Sequence, residues 1–179
     1  MEIFTVGHGN RTIAELLKLV KAARIETLLD VRRYPSSRRN PQFNGPILKN
    51  SLRSHGINYM WEGEALGGHR KVQETNNHPA LGSETMSAYA DHMQTETFRE
   101  SARRALHEAK FAPTVLMCAE IEPTGCHRSL IADFLTLHGI EVYHLVSLEK
   151  SIAHELHHDV RMSDRYVIYD RSTQMSLDL

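Results

Sequence analysis

The chain has 179 residues, 41% hydrophobic and 24% charged, with a formal net charge of -1; it is long enough for one packed core, short for two domains and too apolar to stay disordered. Near-neutral charge offers no global attraction for nucleic acid or anionic membrane, so either would need a local patch. No run of roughly 18 apolar residues suits a membrane span, MEIFTVGHGN lacks the features of a signal peptide, and two cysteines make no disulfide framework. The expectation is a cytoplasmic protein with free thiols and no membrane contact.

Residues 3–6 read as a short apolar strand ending in Gly7-His8-Gly9-Asn10. Thr12-x-x-Glu15 is then a capping box for a helix that buries Ile13, Leu16, Leu17 and Val20. A second strand is expected at 27–31, followed by a polar loop over 32–44. Pro46 suits the first turn of a helix carrying Ile47, Leu48 and Leu52, and Gly56 ends it before a strand at 57–61. Residues 63–82, with four glycines and little periodicity, read as a long excursion or lid.

Helices are expected at 83–93 and 95–110, a buried strand at 114–117, a helix from Ser129 to His138 stopped by Gly139, and strands at 142–146 and 166–169. His154, His157 and His158 read as surface residues of a polar, helical segment. Residues 172–179 read as a loose tail, leaving one domain over 1–171. Strands alternating with helices imply an α/β fold, a mostly parallel sheet with helices on both faces in a Rossmann-like or rhodanese-like three-layer arrangement.

In such a sheet the loops after successive strands leave on one edge, where ligands bind. Three loops there are rich in chemistry. GHGNR combines two glycines, which permit close backbone approach, with a helix N-terminus. The loop from Asp30 to Asn44 holds four arginines within eight residues, interleaved with Ser, Asn, Tyr and Phe, a mixture that can fork phosphate and stack a base, or that can simply be solvated surface. Asp30, at a strand end, would pair with Arg32 or Arg128 and orient it. The third loop, CAEIEPTGCHR, carries Cys118, Glu120, Cys126, His127 and Arg128.

Several readings of that third loop compete. A zinc site could draw on Cys118, Cys126 and His127, with Glu120 or His8, although the spacing matches no common ribbon. A cysteine near a helix N-terminus with His and Arg beside it should have a lowered pKa, the condition for a thiol nucleophile; packed structural thiols are the alternative. Glu120 could serve as general base or as a salt-bridge partner. Arg128 and Ser129, in the first helical turn, suit anion binding. His69, in Leu66-Gly67-Gly68-His69-Arg70, could close over the site.

The blocks GHGNRT, DVRRYPSSRRNPQFN, LGGHR and MCAEIEPTGCHRSLIADFL together resemble the family catalogued as domain of unknown function 488, from about Ile3 to Leu145. The family's usual first block reads Gly-His-Ser-Asn; Gly9 stands at the serine position here, so a hydroxyl contact from that place is lost. The resemblance implies the fold and the loops as a matched set and names no reaction. A local likeness to rhodanese domains rests on Asp30-Val31-Arg32 and on Gly125-Cys126-His127-Arg128-Ser129 with Gly139 and Val142 beyond, across a loop much longer than a rhodanese anion cradle.

The leading expectation is a hydrolase or group transferase acting on a small phosphorylated ligand, a nucleotide, a nucleoside derivative or a nucleic-acid end. Arg11, Arg32, Arg38 and Arg128 would hold anionic groups, while Asn10, Asn40 and Phe43 would contact base or sugar. Glu120 would handle protons with His127 or His8, and Cys118 would line the site. No cofactor or metal is implied. The alternatives are a non-catalytic nucleic-acid or nucleotide-binding module and a thiol-dependent, rhodanese-like or redox protein at Cys118 and Cys126. The long Cys118–Cys126 spacing favours packed over reactive thiols.

Overall fold

Alternation along the central strands divides the core into two layers. The computed structural model describes residues 1–73 and 77–170; the tail expected at 172–179 lies outside them. Strands β1 (Glu2–Gly7), β2 (Thr27–Asp30), β3 (Asn58–Trp61), β4 (Thr114–Cys118) and β5 (Glu141–Leu145) are parallel, and β6 (Ser151–Ala153) adds an antiparallel edge, in the order β3-β2-β4-β1-β5-β6. Val6, Leu28, Val115 and Met117 point to one face; Ile3, Leu29, Leu116 and Cys118 point to the other, as the two-residue period of a strand requires.

Helices α1 (Ile13–Ala22) and α2 (Gly45–Arg53) cover the first face with Leu16, Leu17, Leu19, Val20, Leu48 and Leu52. The second face packs against α4 (Glu84–Met93), α5 (Glu96–Phe111) and α6 (His127–Leu137) through Tyr89, Phe98, Ala102, Ile131 and Phe134. Each large aliphatic side chain buried this way contributes about 1.5–3 kcal/mol, so both layers are needed. The mostly parallel, three-layer α/β expectation is met.

Local signals act where expected. Thr12 and Glu15 form the complete capping box of α1, worth about 1 kcal/mol. Three segments differ. First, α6 begins at His127, two residues earlier than the apolar spacing indicated, which makes Cys126 its N-cap. Second, 63–82 is not wholly irregular: Gly63–Leu66 forms a short helix, α3, whose end carbonyls accept from Arg70 and His92. Third, the histidine segment is not helical; β6 pairs with β5 there. Strand β8 (Tyr166–Tyr169) stands outside the main sheet in a hairpin with β7 (Val160–Ser163).

His154 is accordingly not a surface residue. It donates to Asp133 of α6 through Nε2 at 2.9 Å and meets His144 Nε2 through Nδ1 at 3.0 Å, while Thr5 Oγ1 lies 2.6 Å from His144 Nδ1. This buried chain ties the edge strand to the sheet, a tertiary contact that no local periodicity reports. Among the described residues no helix is long and apolar enough to cross a membrane.

Strands β1 and β4 are neighbours, yet the helix after β1 lies on one face and the helix after β4 on the other. Their C-terminal ends therefore splay into a crevice of the kind that binds ligands in open α/β sheets.

Candidate functional site

The crevice is a cavity of about 950 Å³, walled by all three chemistry-rich loops. At its inner wall the β4 loop passes directly over the end of β1. The amides of His8 and Gly9 donate to the carbonyls of Cys118 and Ala119 at 3.0 and 2.8 Å. A Cβ on Gly7 would lie 1.6 Å from the Glu120 carbonyl oxygen, so glycine is required there for the chain's own loop. The close approach expected of GHGNR is thus made by protein.

Cys126, at the N-cap of α6, places its sulfur 3.2 Å from that of Cys118 and 3.7 Å from His127 Nδ1. Both cysteines are free and buried, and both line the cavity. His127 Nε2 lies 3.2 Å from the Val31 carbonyl oxygen. A carbonyl can only accept, so Nε2 carries the proton and Nδ1 turns its lone pair toward the thiol. Tyr89 meets the imidazole edge-on at 5.1 Å, and a Cβ on Gly68 would stand 3.1 Å from Nδ1. The ring is thereby packed against Tyr89 of α4 and the backbone at Gly68.

This geometry separates the two thiols. A hydrogen bond from Cys118, with further help from His127 and the Arg128 amide, holds the Cys126 thiol well below its ordinary range. The Cys118 thiol is pushed up by that same pairing and by burial, and stays protonated as the donor. Burial opposes a thiolate at Cys126, but the donors and the helix N-terminus outweigh it. Both cysteines are packed, as expected, and the packing is asymmetric: the contact favours Cys118 as the protonated donor and Cys126 as the acceptor.

The cationic residues redistribute. Asp30 is fully buried and accepts from Arg32 Nε at 2.8 Å, from Arg32 Nη2 at 2.5 Å and from the Tyr59 hydroxyl at 2.9 Å. Of the two partners considered for Asp30, Arg32 is the one it holds. Arg32 Nη2 also donates to the Phe43 carbonyl, and Nη1 lies 3.2 Å from His8 Nε2. Its fork is therefore spent on protein, and Arg32 reaches the cavity as a fixed wall.

His8 lies against Phe43, with ring centroids 4.3 Å apart. Its Nδ1 is 2.9 Å from the Gly9 carbonyl, so Nδ1 carries the proton and Nε2 accepts from Arg32. Burial lowers its pKa to about 4, which keeps the ring neutral near pH 7. Phe43 is wholly buried and cannot present a free face to a base. The Phe43 face expected to contact base or sugar is covered by His8, and the His8 nitrogen expected to carry a proton accepts from Arg32.

Arg11 also turns away from the cavity, donating to the Gly7 carbonyl and, at 2.6 Å, to the Val146 carbonyl. Arg128 is 1% exposed and donates from Nη2 to the Ile121 carbonyl at 2.9 Å; its Nε and Nη1 have no partner among the described residues. Ser129 donates to the Cys126 carbonyl and faces a neighbouring cavity. Arg38 is exposed and outside the lining, whereas Arg33 and Arg39 line the mouth. Sequence reasoning missed those two and Tyr89; the strand-like alternation that orients side chains is absent from an irregular loop, so the pattern of arginines could not tell one from the next.

Asn10, Asn40, His69 and Glu120 do line the cavity as expected. Glu120 is exposed and forms no side-chain hydrogen bond or ion pair among the described residues. His69 holds φ +59°, uncommon for a non-glycine residue, and its ring lies 6.4 Å from that of Tyr34, which is 68% exposed. Zinc at the cysteines finds no geometric support: among the described residues, the group that brings three His, Cys, Asp or Glu ligand atoms within 4.8 Å of one another is His157, His158 and Asp159.

Comparison with known proteins yields one match. The family model described as Domain of unknown function DUF488 covers residues 12–135. No curated protein and no solved structure matches the chain.

Proposed function

The chain belongs to the DUF488 family, whose description names no reaction, and from the geometry of the cavity we propose that it is a thiol-dependent hydrolase or group transferase acting on a small phosphorylated ligand. The observation that carries this reading is the contact of Cys126 Sγ with His127 Nδ1 on the cavity wall, with the Val31 carbonyl behind the imidazole at its Nε2. It supplies a nucleophile, a base and a group that orients the base. His127 takes the thiol proton, and the hydrogen bond from Cys118 stabilises the resulting anion.

Arg33 and Arg39 at the mouth supply positive charge for an anionic ligand. The sulfur attacks the electrophilic centre, the bond to the leaving group breaks, and the proton that His127 took from the thiol passes to the departing oxygen; the exposed Glu120 carboxylate on the adjoining loop accepts a proton from the water or acceptor in the release step. Water or a second acceptor then releases the group from sulfur. His8 takes no proton role in this scheme, because Arg32 already occupies its free nitrogen.

The test is a turnover screen over phosphate esters and nucleotides with the wild type, Cys126→Ser and Glu120→Gln. Loss of turnover in Cys126→Ser with ligand binding within a few-fold supports the reading; undiminished turnover overturns it. A second reading, a non-catalytic nucleotide-binding module, is favoured by the exposed Tyr34 ring facing His69 beside two arginines, a surface on which a base can stack. It predicts tight binding of a mononucleotide, no turnover, and indifference to Cys126→Ser.

A further inference from the structure

The catalytic scheme needs only one sulfur, yet the fold brings two together. Cys118 is the last residue of β4 and Cys126 caps α6, so the intervening loop must fold back to set their sulfurs 3.2 Å apart. The two are not equivalent. Cys126 has a histidine beside it and the α6 N-terminus below it, whereas Cys118 has only the Glu120 carbonyl, 3.6 Å from its sulfur, as a second partner. Among the described residues the chain carries no competing thiol, since these are its two cysteines.

A thiol held ready to ionise on a cavity wall, with a second thiol in contact, is the arrangement in which oxidation at one sulfur is resolved by the other. We propose that Cys126 and Cys118 form a peroxidatic and resolving pair, giving the site a second activity, the two-electron reduction of a small hydroperoxide. The inference rests on the reading of Cys126 as the reactive thiolate of this cavity.

The chemistry balances with the groups at hand. The Cys126 thiolate attacks the terminal oxygen of the hydroperoxide: an S–O bond forms, the O–O bond breaks, and the proton held on His127 Nδ1 passes to the leaving oxygen, which departs as water or an alcohol. Cys126 is then a sulfenic acid. Cys118 attacks its sulfur: an S–S bond forms, the S–O bond breaks, and the Cys118 proton leaves with the hydroxyl as a second water. Two thiols are oxidised and one hydroperoxide is reduced. A thiol reductant restores the pair by exchange.

Closing the bridge requires the sulfurs to approach by roughly 1.2 Å to the ordinary S–S length. The β4 strand end is anchored by its register with β1, so the adjustment falls on Cys126 and the exposed loop before it. The bridged form has no thiolate, and the thiol-dependent activity of the cavity therefore stops under peroxide and returns under reductant.

The experiment is intact-mass spectrometry after one equivalent of hydrogen peroxide. Wild type is expected to lose about 2 Da, with peptide mapping placing the bridge between positions 118 and 126 and dithiothreitol reversing it; Cys118→Ala is expected to stop at a gain of about 16 Da that dimedone traps on Cys126. Wild-type protein that gains oxygen without bridging, or that bridges only between molecules, overturns the proposal. The wild-type measurement decides the matter should the variant fold poorly. Alkylation of Cys126 separates the two failures: a reactive thiolate with no bridge sinks this inference alone, whereas an unreactive Cys126 sinks the thiol-dependent function with it.

Discussion

The sulfurs of Cys118 and Cys126 lie 3.2 Å apart, and with Cys118 as the donor that contact is the largest single cause holding the Cys126 thiol below its ordinary range. The iodoacetamide reaction at Cys126 should therefore be nearly flat from pH 6 to 8, where an ordinary thiol gains about tenfold in rate per pH unit. Removing the donor in Cys118→Ala should restore a rising pH profile. A profile equally steep in both proteins would refute the assignment.

Gly68 bears on the same sulfur through His127. Its absent side chain leaves room for His127, whose Nδ1 would lie 3.1 Å from a Cβ there. Gly68→Ala should push the imidazole off the Val31 carbonyl and steepen the alkylation profile as Cys118→Ala does. Its effect on thermal stability should be small, because the strain can be relieved by rotating one side chain. His127→Asn should reproduce the alkylation change, and a Gly68→Ala protein with wild-type labelling would show that the ring is not held by this contact.

Asp30 and Arg32 form a buried ion pair beneath the cavity. Replacing Asp30 by Asn leaves a guanidinium buried without its counter-charge, and breaking such a pair costs about 3–5 kcal/mol. Urea denaturation should register that loss, with the midpoint moved and the slope unchanged. A Tyr59→Phe change, which removes one donor to the same carboxylate, should cost only about 1 kcal/mol.

Acid should destabilise the fold before its carboxylates titrate. His8 and His144 are both lowered from 6.5 to about 4, chiefly by burial. Between those values the unfolded chain binds protons that the folded chain refuses, so stability present at pH 7 is lost as the pH falls from 6.5 toward 4. Each histidine contributes about 1.4 kcal/mol per pH unit over that window. Unfolding free energies at pH 7.0, 6.0 and 5.0 should show the decline, and His144→Gln should reduce its slope; a flat curve would contradict the burial argument.

Much of this protein is legible in the order of its residues. Apolar strands alternating with helical spacing, the Thr12–Glu15 capping box and the glycines of GHGNR specify a parallel α/β sheet and the edge on which its loops gather. These are local features, and spacing along the chain determines them. The assignment of Asp30 as the group that orients an arginine follows from its place at a strand end.

Tertiary structure alone decided what those loops do once gathered. Arg11 and Arg128 carry the right charge at the right helix termini, yet one clamps two strand ends and the other is sealed beneath the β4 loop. Arg33 and Arg39 face the cavity where Arg38 does not. Cys118 and Cys126, separated by a loop longer than a rhodanese anion cradle, meet because that loop doubles back over Gly7. An irregular loop has no period from which side-chain direction can be read; its orientation is set by backbone hydrogen bonds and close contacts to residues far away in the chain, and those exist only when the sheet has formed.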